Sequence, residues 1–334
     1  MGLATRPLGR SGLEITEVGF GAWAIGGGKY AFGWGPQDDE ESIQAIRYAV
    51  EAGVNWIDTA PAYGMGHSEE VVARALEGIP EADRPLIFTK CGVHRDPNDP
   101  MGKATRHLEP DAIRRECEDS LRRLGVEQID LYQFHWPDEQ GNPIEASWEV
   151  MVELQEAGKV RCAGVSNFDV PLLEACEEIS HVDSLQPPLS LIRRDAAGAE
   201  VPWCERNDTG VIVYSPMQSG LLTGAFDADR VAGLPVDDWR RNAPEFNEPN
   251  LSRNLELVDA MRPIADNHGV TLAAVAVAWT LAWSGVTAAI VGARRPDQID
   301  GWVPAAGLRL EPRELDELAA VIERTGAGTG PTRP

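Results

Sequence analysis

A chain of 334 residues is too long for a small stapled module and has the size of either two modest domains or one α/β barrel. Its 30 Lys and Arg against 53 Asp and Glu leave a formal charge of −23, which repels phosphate backbones and anionic lipid. That balance argues against nucleic acid and membrane surfaces as partners and for a soluble protein with small ligands.

The opening run MGLATRPLGRSG has no apolar core of the kind a signal peptide needs, and Arg6 stands where a myristoylation signal wants Ser or Thr. Five cysteines, Cys91, Cys117, Cys162, Cys176 and Cys204, are odd in number and contain no CxxC pair, so they are expected to be reduced in a cytoplasmic protein. Short apolar runs rich in β-branched residues then alternate with amphipathic helical windows, the pattern of a parallel sheet with helical crossovers. In chain order the strand candidates are VGFGAW, NWIDTA, LIFTK, IDLYQFH, VRCAGVS, SLQPP, GVIVYSP and AAIVGA, which makes eight, the barrel number.

The intervening helices are legible on their own terms. Over 111–125, Ile113, Cys117, Leu121 and Leu124 fall on one face with charges on the rest. Gly53, Gly125 and Gly158 stand where a left-handed C-terminal cap turns the chain into the next strand. The run TLAAVAVAWTLAW covers 13 residues, short of the roughly 20 that span a bilayer, and predicts a buried helix. No linker or repeat interrupts 1–334, so one domain is expected, with a mobile tail from about 326 to 334.

In a parallel barrel the reactive groups sit at the C-terminal ends of strands. Asp58 lies near the end of NWIDTA, Tyr63 just past it, Lys90 ends LIFTK and His135 ends IDLYQFH. An acid, a phenol, an ammonium and an imidazole at one mouth suit protonation of a carbonyl oxygen. The ammonium is expected to lower the pKa of Tyr63 and make it a usable acid, Asp58 to hold Lys90 charged, and His135 to hydrogen-bond the same carbonyl. Singly, each has an ordinary structural role as a turn cap, an ion pair or a core histidine; the convergence on successive strand ends is what points to a reaction centre. One His and one Asp make a poor zinc site, so no metal is expected.

Five motifs, GVNWIDTAPAYGMGHSE, DLYQFHWPDE, KVRCAGVSNF, SPMQSGLLTG and IVGARRPDQI, occur in the order and spacing of the aldo-keto reductases, which the sequence resembles along nearly its whole length. The resemblance implies a (β/α)8 TIM barrel preceded by a β-hairpin, here RPLGRSGLEIT, and a nicotinamide cofactor bound without a Rossmann domain. It implies the catalytic set Tyr63, Asp58, Lys90 and His135, with Tyr63 as proton donor.

Ser166, Asn167 and Gln186 follow or end strands and offer donors and acceptors to an amide such as the nicotinamide carboxamide. By similarity, Tyr214 would stack on the nicotinamide face. The segment SPMQSGLLTG, with Ser215, Pro216, Gln218, Gly220 and Leu221, would bring backbone amides to a pyrophosphate. Gly292, Ala293, Arg294 and Gln298, with Arg295, lie before a helix start, where cations and amides could hold the 2′-phosphate of NADP. NADPH is therefore favoured, with NAD(H) as the alternative. Two positions depart from the family pattern: Trp302 stands where relatives usually have Asn, and Ala225 where many have Lys. Trp302 is then a candidate to stack on adenine, and Arg240 or Arg241 to replace the missing cation.

Trp23 and Trp136 are candidates for the substrate wall, with Tyr30 and Trp34 as further aromatic residues near the mouth. Such a wall suits a small aldehyde, ketone or sugar. Two rival readings are a redox-sensing cofactor-binding subunit akin to those of potassium channels, for which no inactivation segment precedes the barrel, and a sugar-phosphate isomerase, which has no need of Ser166, Asn167 and Gln186. A closed barrel has no open edge that demands pairing, so no oligomeric state is implied.

Overall fold

The computed structural model describes residues 2–28 and 30–334. A hairpin of β1 (Thr5–Pro7) and β2 (Glu14–Thr16) leads into β3 (Val18–Gly21), α1 (Asp39–Glu51), β4 (Trp56–Asp58), α2 (His67–Leu76) and β5 (Leu86–Cys91). A two-stranded excursion, β6 (Val93–His94) and β7 (Thr105–Arg106), precedes α3 (Pro110–Leu124) and β8 (Ile129–Phe134). Then come α4 (Ile144–Glu156), β9 (Val160–Ser166), α5 (Val170–Glu177), β10 (Ser184–Gln186), α6 (Glu200–Arg206) and β11 (Gly210–Val213). The chain ends with α7 (Ala228–Ala232), α8 (Asn250–His268), α9 (Leu272–Leu281), β12 (Ala288–Gly292), α10 (Pro296–Ile299) and α11 (Pro312–Thr325).

The strands β3, β4, β5, β8, β9, β10, β11 and β12 pair in parallel and close on themselves, β12 returning to β3 through Gly292↔Gly21. All eight segments expected from the sequence are barrel strands, and the protein is a (β/α)8 barrel with an N-terminal β-hairpin. α3 buries Ile113, Cys117, Leu121 and Leu124 as its periodicity required. Gly53, Gly125 and Gly158 adopt φ of 98°, 65° and 72° at the expected helix ends. Every residue of the 272–281 helix except Ala273 is buried, and no helix among the described residues is long and apolar enough to cross a membrane.

The alternation of side chains along a strand decides what lies inside the barrel. Its lower half is filled by Trp56, Phe88, Leu131, Cys162, Ile212, Ala288 and Ile290, and the hairpin plugs the bottom with Leu8, Leu13 and Ile15. Trp56 is anchored there by an indole N–H that donates to Thr16 O at 2.9 Å. Opposite it, Gly19 leaves the space the indole occupies, since a Cβ would fall 2.1 Å from Trp56 Cε2. Gly19→Ala is therefore expected to destabilise the protein by about 1–3 kcal/mol, although alanine in a strand would otherwise be slightly favourable. A urea unfolding midpoint equal to that of the native chain would show that the indole can move aside.

Within the segment expected to be mobile, residues 327–331 lie against the loop after β10. Arg194 N donates to Thr329 O and Thr329 N to Ile192 O, each at 3.0 Å, and Ala327 is buried. Composition favoured mobility, but the backbone of this segment finds partners in a loop more than 130 residues earlier.

Candidate active site

Two residues above the apolar interior layer, the same inward-facing positions carry polar groups. Asp58 follows Trp56 on β4, Lys90 follows Phe88 on β5, Gln133 follows Leu131 on β8, and Gln186 ends β10. All four are buried. Lys90 Nζ donates to Asp58 Oδ1 at 2.5 Å, to Thr59 O at 2.9 Å and to the Tyr63 hydroxyl at 3.3 Å. The other carboxylate oxygen accepts from Gln186 Nε2 at 2.8 Å and Gln133 Nε2 at 3.4 Å. Asp58 thus has an ammonium on one oxygen and two amides on the other, as a carboxylate taken out of water requires.

Tyr63 is carried by the turn after β4, whose Gly64 (φ 66°) passes so close to the loop after β3 that a Cβ would lie 2.0 Å from Gly26 O. His135 sits edge-on to the Tyr63 ring, with centroids 5.6 Å apart and planes at 83°. Burial, with Lys90 and Arg106 nearby, holds the His135 pKa well below the usual histidine range, so the imidazole is neutral and has one N–H to give. Burial likewise pulls Lys90 down, against the pull of Asp58. The expectation for Tyr63 is corrected: its pKa is raised, first by burial and then by the Asp58 charge, and Lys90 does not reverse this. The ammonium is shared with a full carboxylate 2.5 Å away, so the phenol sees little net positive charge.

The three amide-matching residues are brought together, largely by bonding one another. Asn167, at φ 63°, donates to His135 O and Ser166 Oγ, both at 3.0 Å, and accepts from the Tyr214 hydroxyl at 2.8 Å. Ser166 Oγ donates to Gln186 O at 2.7 Å. Gln186 Nε2 also reaches Gln133 Oε1 at 3.1 Å. The donors are used, while the acceptor Asn167 Oδ1 retains a lone pair. At the rim, the register pair Gly21 and Gly292 leaves a stretch between β3 and β12 without side chains.

Beyond Tyr214 the chain makes a turn in which Ser215, Gln218, Ser219 and Gly220 have φ of 57°, 45°, 54° and 91°. Pro216 is buried within this turn, as is Leu221. The Gln218 side chain is turned into the protein, accepting from Ser190 Oγ at 2.8 Å and donating to Glu245 at 2.7 Å. The amides of Gln218 and Gly220 bond Ser215 O and Met217 O within the turn. Near Gly292 and buried Ala293, Arg294 Nε bonds Gln37 Oε1 at 2.5 Å, while Gln298 Oε1 accepts from Arg294 N at 2.7 Å. Arg295 pairs with Asp297 at 3.0 Å.

Position bears on three further residues. Trp302 is only 1 % exposed within the core, so it has no face for a base to stack on; its indole ring is apolar enough to fill the space behind the last strand instead. Arg241 turns back to Leu234 O. Arg240 is held by Asp238 and lies over Trp34, with Nη1 3.5 Å from Ser219 O, so of the two it is the one beside the turn. Ala225 is exposed there.

Residues 17–323 match the model of the aldo/keto reductase family. The chain belongs to the aldo/keto reductase family. Aldo-keto reductase YhdN of Bacillus subtilis is 34% identical over 94% of this chain and 92% of its own. The NADH-specific methylglyoxal reductase of Escherichia coli is 32% identical over 95% and 99%. The structure of the glycerol dehydrogenase AKR11B4 from Gluconobacter oxydans superposes with a TM-score of 0.87 at 37% identity, covering 98% of this chain and 97% of that one. As an aldo/keto reductase, the protein is a nicotinamide-dependent oxidoreductase of small carbonyl compounds.

The mouth of this aldo/keto reductase carries more aromatic surface than the sequence indicated. Trp23 stacks on Trp239 at 6.0 Å and meets Trp34 edge-on at 5.4 Å. Trp239, from the long loop after β11, lies 216 positions from Trp23, and no local pattern marks it. Trp136 is covered by the Arg106 guanidinium at 3.8 Å. Tyr30 is buried with its hydroxyl unpartnered, close to the Tyr63 backbone at Gly26. Gln133 was legible in principle, because it stands two residues before His135 on the same inward face.

Proposed function

We propose that the protein reduces a small aldehyde, ketone or sugar carbonyl, or oxidises the corresponding alcohol, with NADP(H), and that Tyr63 is the general acid and base. The observation that carries this reading is the contact of one buried ammonium, Lys90, with both Asp58 and the Tyr63 hydroxyl at the top of the barrel. A phenol kept protonated through neutral pH can hand its proton to a carbonyl oxygen, and the Lys90 ammonium 3.3 Å away stabilises the phenolate left behind. Neutral His135 donates a second hydrogen bond to that oxygen and so orients the carbonyl. Bound nicotinamide supplies the hydride.

The residues present suit that cofactor. Asn167 Oδ1 would accept from the carboxamide, with Ser166 and Gln186 fixing its place; the Tyr214 ring, its hydroxyl tied to Asn167, would back the nicotinamide; the left-handed turn 215–220 would receive the pyrophosphate. Arg294 would exchange its bond to Gln37 for the 2′-phosphate of NADP. Trp23 and Trp136 would flank the substrate. The names of the relatives, a methylglyoxal reductase and a glycerol dehydrogenase, support short polar carbonyls and polyols. Five free, buried cysteines support a reducing, cytoplasmic setting.

The reading is tested by following NADPH and NADH oxidation with methylglyoxal and 4-nitrobenzaldehyde. No turnover with either nucleotide would overturn it. Arg294→Leu is expected to raise the KM for NADPH roughly tenfold, the loss of one charge-assisted contact, while leaving the KM for NADH nearly unchanged. Equal effects on both nucleotides would place Arg294 away from the 2′-phosphate.

A further inference from the structure

The turn 215–220 is strained. Ser215, Gln218 and Ser219 have φ between 45° and 57°, a region in which non-glycine residues persist only where surrounding structure over-determines them. The Gln218 side chain shows what does so here, since its carboxamide is fixed at both ends, by Ser190 Oγ at 2.8 Å and Glu245 at 2.7 Å. Ser190 is fully buried and belongs to the loop after β10; its hydroxyl also receives the amides of Ile192 at 3.2 Å and Arg193 at 3.0 Å.

That loop is in turn clamped by Arg194. Its side chain is 2 % exposed and spends its donors on main-chain carbonyls: Pro331 at 2.8 Å, Ala327 at 3.1 Å, and Leu191. Burial draws its pKa down to about 10, which leaves it charged at neutral pH. A buried guanidinium has a rigid fork of donors and a large desolvation cost, so residues 327–331 cannot peel away without stranding it. Thr329 reinforces the strap through its hydroxyl to Asp195 at 2.6 Å. A continuous chain of contacts therefore runs from the C-terminal strap through Arg194, the 190–194 loop and Ser190 to Gln218 in the strained turn.

We propose that Arg194 and the 327–331 strap are positioning elements for the cofactor, holding the 215–220 turn in its binding conformation through the Ser190–Gln218 hydrogen bond. This rests on the reading that the turn receives the nicotinamide nucleotide's pyrophosphate. The groups assigned to proton transfer and carbonyl orientation, Tyr63, Lys90 and His135, take no part in the chain of contacts, so its loss weakens cofactor binding and spares the chemical step.

The test uses full-length Ser190→Ala, Gln218→Ala, the double variant, and Arg194→Lys. The measurements are dissociation constants for NADPH and NADH from quenching of protein fluorescence, kcat at saturating nucleotide, and Tm without nucleotide. Ser190→Ala is expected to raise both dissociation constants roughly tenfold, as for the loss of the bond to Gln218, with kcat within about twofold of native and Tm modestly lowered, because the amides of Ile192 and Arg193 lose their acceptor as well. Each substitution also frees other partners, Ile192 N and Arg193 N for Ser190 and Glu245 for Gln218, so the double variant is expected to raise the dissociation constants by clearly less than the product of the two single effects, the shortfall being the shared Ser190–Gln218 bond. Arg194→Lys is expected to show the same rise in dissociation constants. Native affinity in Ser190→Ala, or additive effects in the double variant, would overturn the proposal. If Arg194→Lys fails to fold, the cycle at Ser190 and Gln218 still decides. A native protein that binds neither nucleotide removes the underlying cofactor reading, whereas native binding with unmoved variants removes only the positioning role.

Discussion

Tyr63→Phe is expected to lower kcat for carbonyl reduction roughly a hundred- to ten-thousand-fold, the range for a positioned general acid, with nucleotide affinity unchanged. The substitution keeps the ring against His135 and removes only the hydroxyl that Lys90 touches at 3.3 Å. The pH dependence follows from the same environment. Burial and Asp58 raise the tyrosine pKa, so the free enzyme keeps its proton donor through neutral pH and loses it only above the ordinary tyrosine range. The His135 pKa is depressed, so the imidazole is already neutral at pH values where a free histidine would be charged. The kcat/KM for reduction should accordingly be flat through neutral pH and fall on the alkaline side. An alkaline limb near neutrality, assigned to Tyr63 by its absence in the variant, would contradict this electrostatic picture.

Lys90→Met is expected to abolish turnover and to destabilise the protein by about 3–5 kcal/mol, because it leaves Asp58 buried without its counter-charge. Neither member of the pair is more than 3% exposed, so water cannot take over the ammonium's role. Adding Asp58→Asn should recover part of the stability and none of the activity, since it removes the stranded charge while leaving Tyr63 without a neighbour to stabilise its phenolate. Urea unfolding of the two single variants and the double variant gives the coupling directly. A Lys90→Met protein as stable as the native chain would mean that the pair is solvated, contrary to its place inside the barrel.

The candidate site was largely legible because a barrel strand writes its inward face at every second residue. Asp58, Lys90 and His135 betray themselves as polar endings to runs that are otherwise apolar, and Tyr63 follows directly in the next turn. Gln133 obeys the same rule but was passed over, because a glutamine inside IDLYQFH looks like one polar residue in a strand until Asp58 is seen opposite it, 75 positions away. The electrostatics were less legible. The sequence places an ammonium beside a phenol, but the sign of the tyrosine shift depends on how that ammonium is divided between Tyr63 and Asp58, and burial outweighs it.

The periphery shows the same division. Trp302 is a surface-sized aromatic in a stretch with little periodicity, and only helix packing around β12 decides that it faces the core. Arg294 is an evident cation, yet its bond to Gln37 joins the loops that follow β12 and β3, strands that become neighbours only when the barrel closes. A tail of Gly, Thr and Pro gives no local sign of order, and its docking rests on main-chain bonds to Ile192 and Arg194 and on the buried Arg194 side chain.

The sequence by itself determined the order and type of the barrel strands, the glycine caps, the hairpin and which residues are candidates for proton transfer, because each depends on spacing within a single strand or turn. Only the tertiary structure decided which side chains share a charge, which cations are already occupied, and what the last residues grip. Those outcomes depend on burial and on contacts such as Asp58 to Gln186, 128 residues apart, whose energies exist only once the barrel has closed.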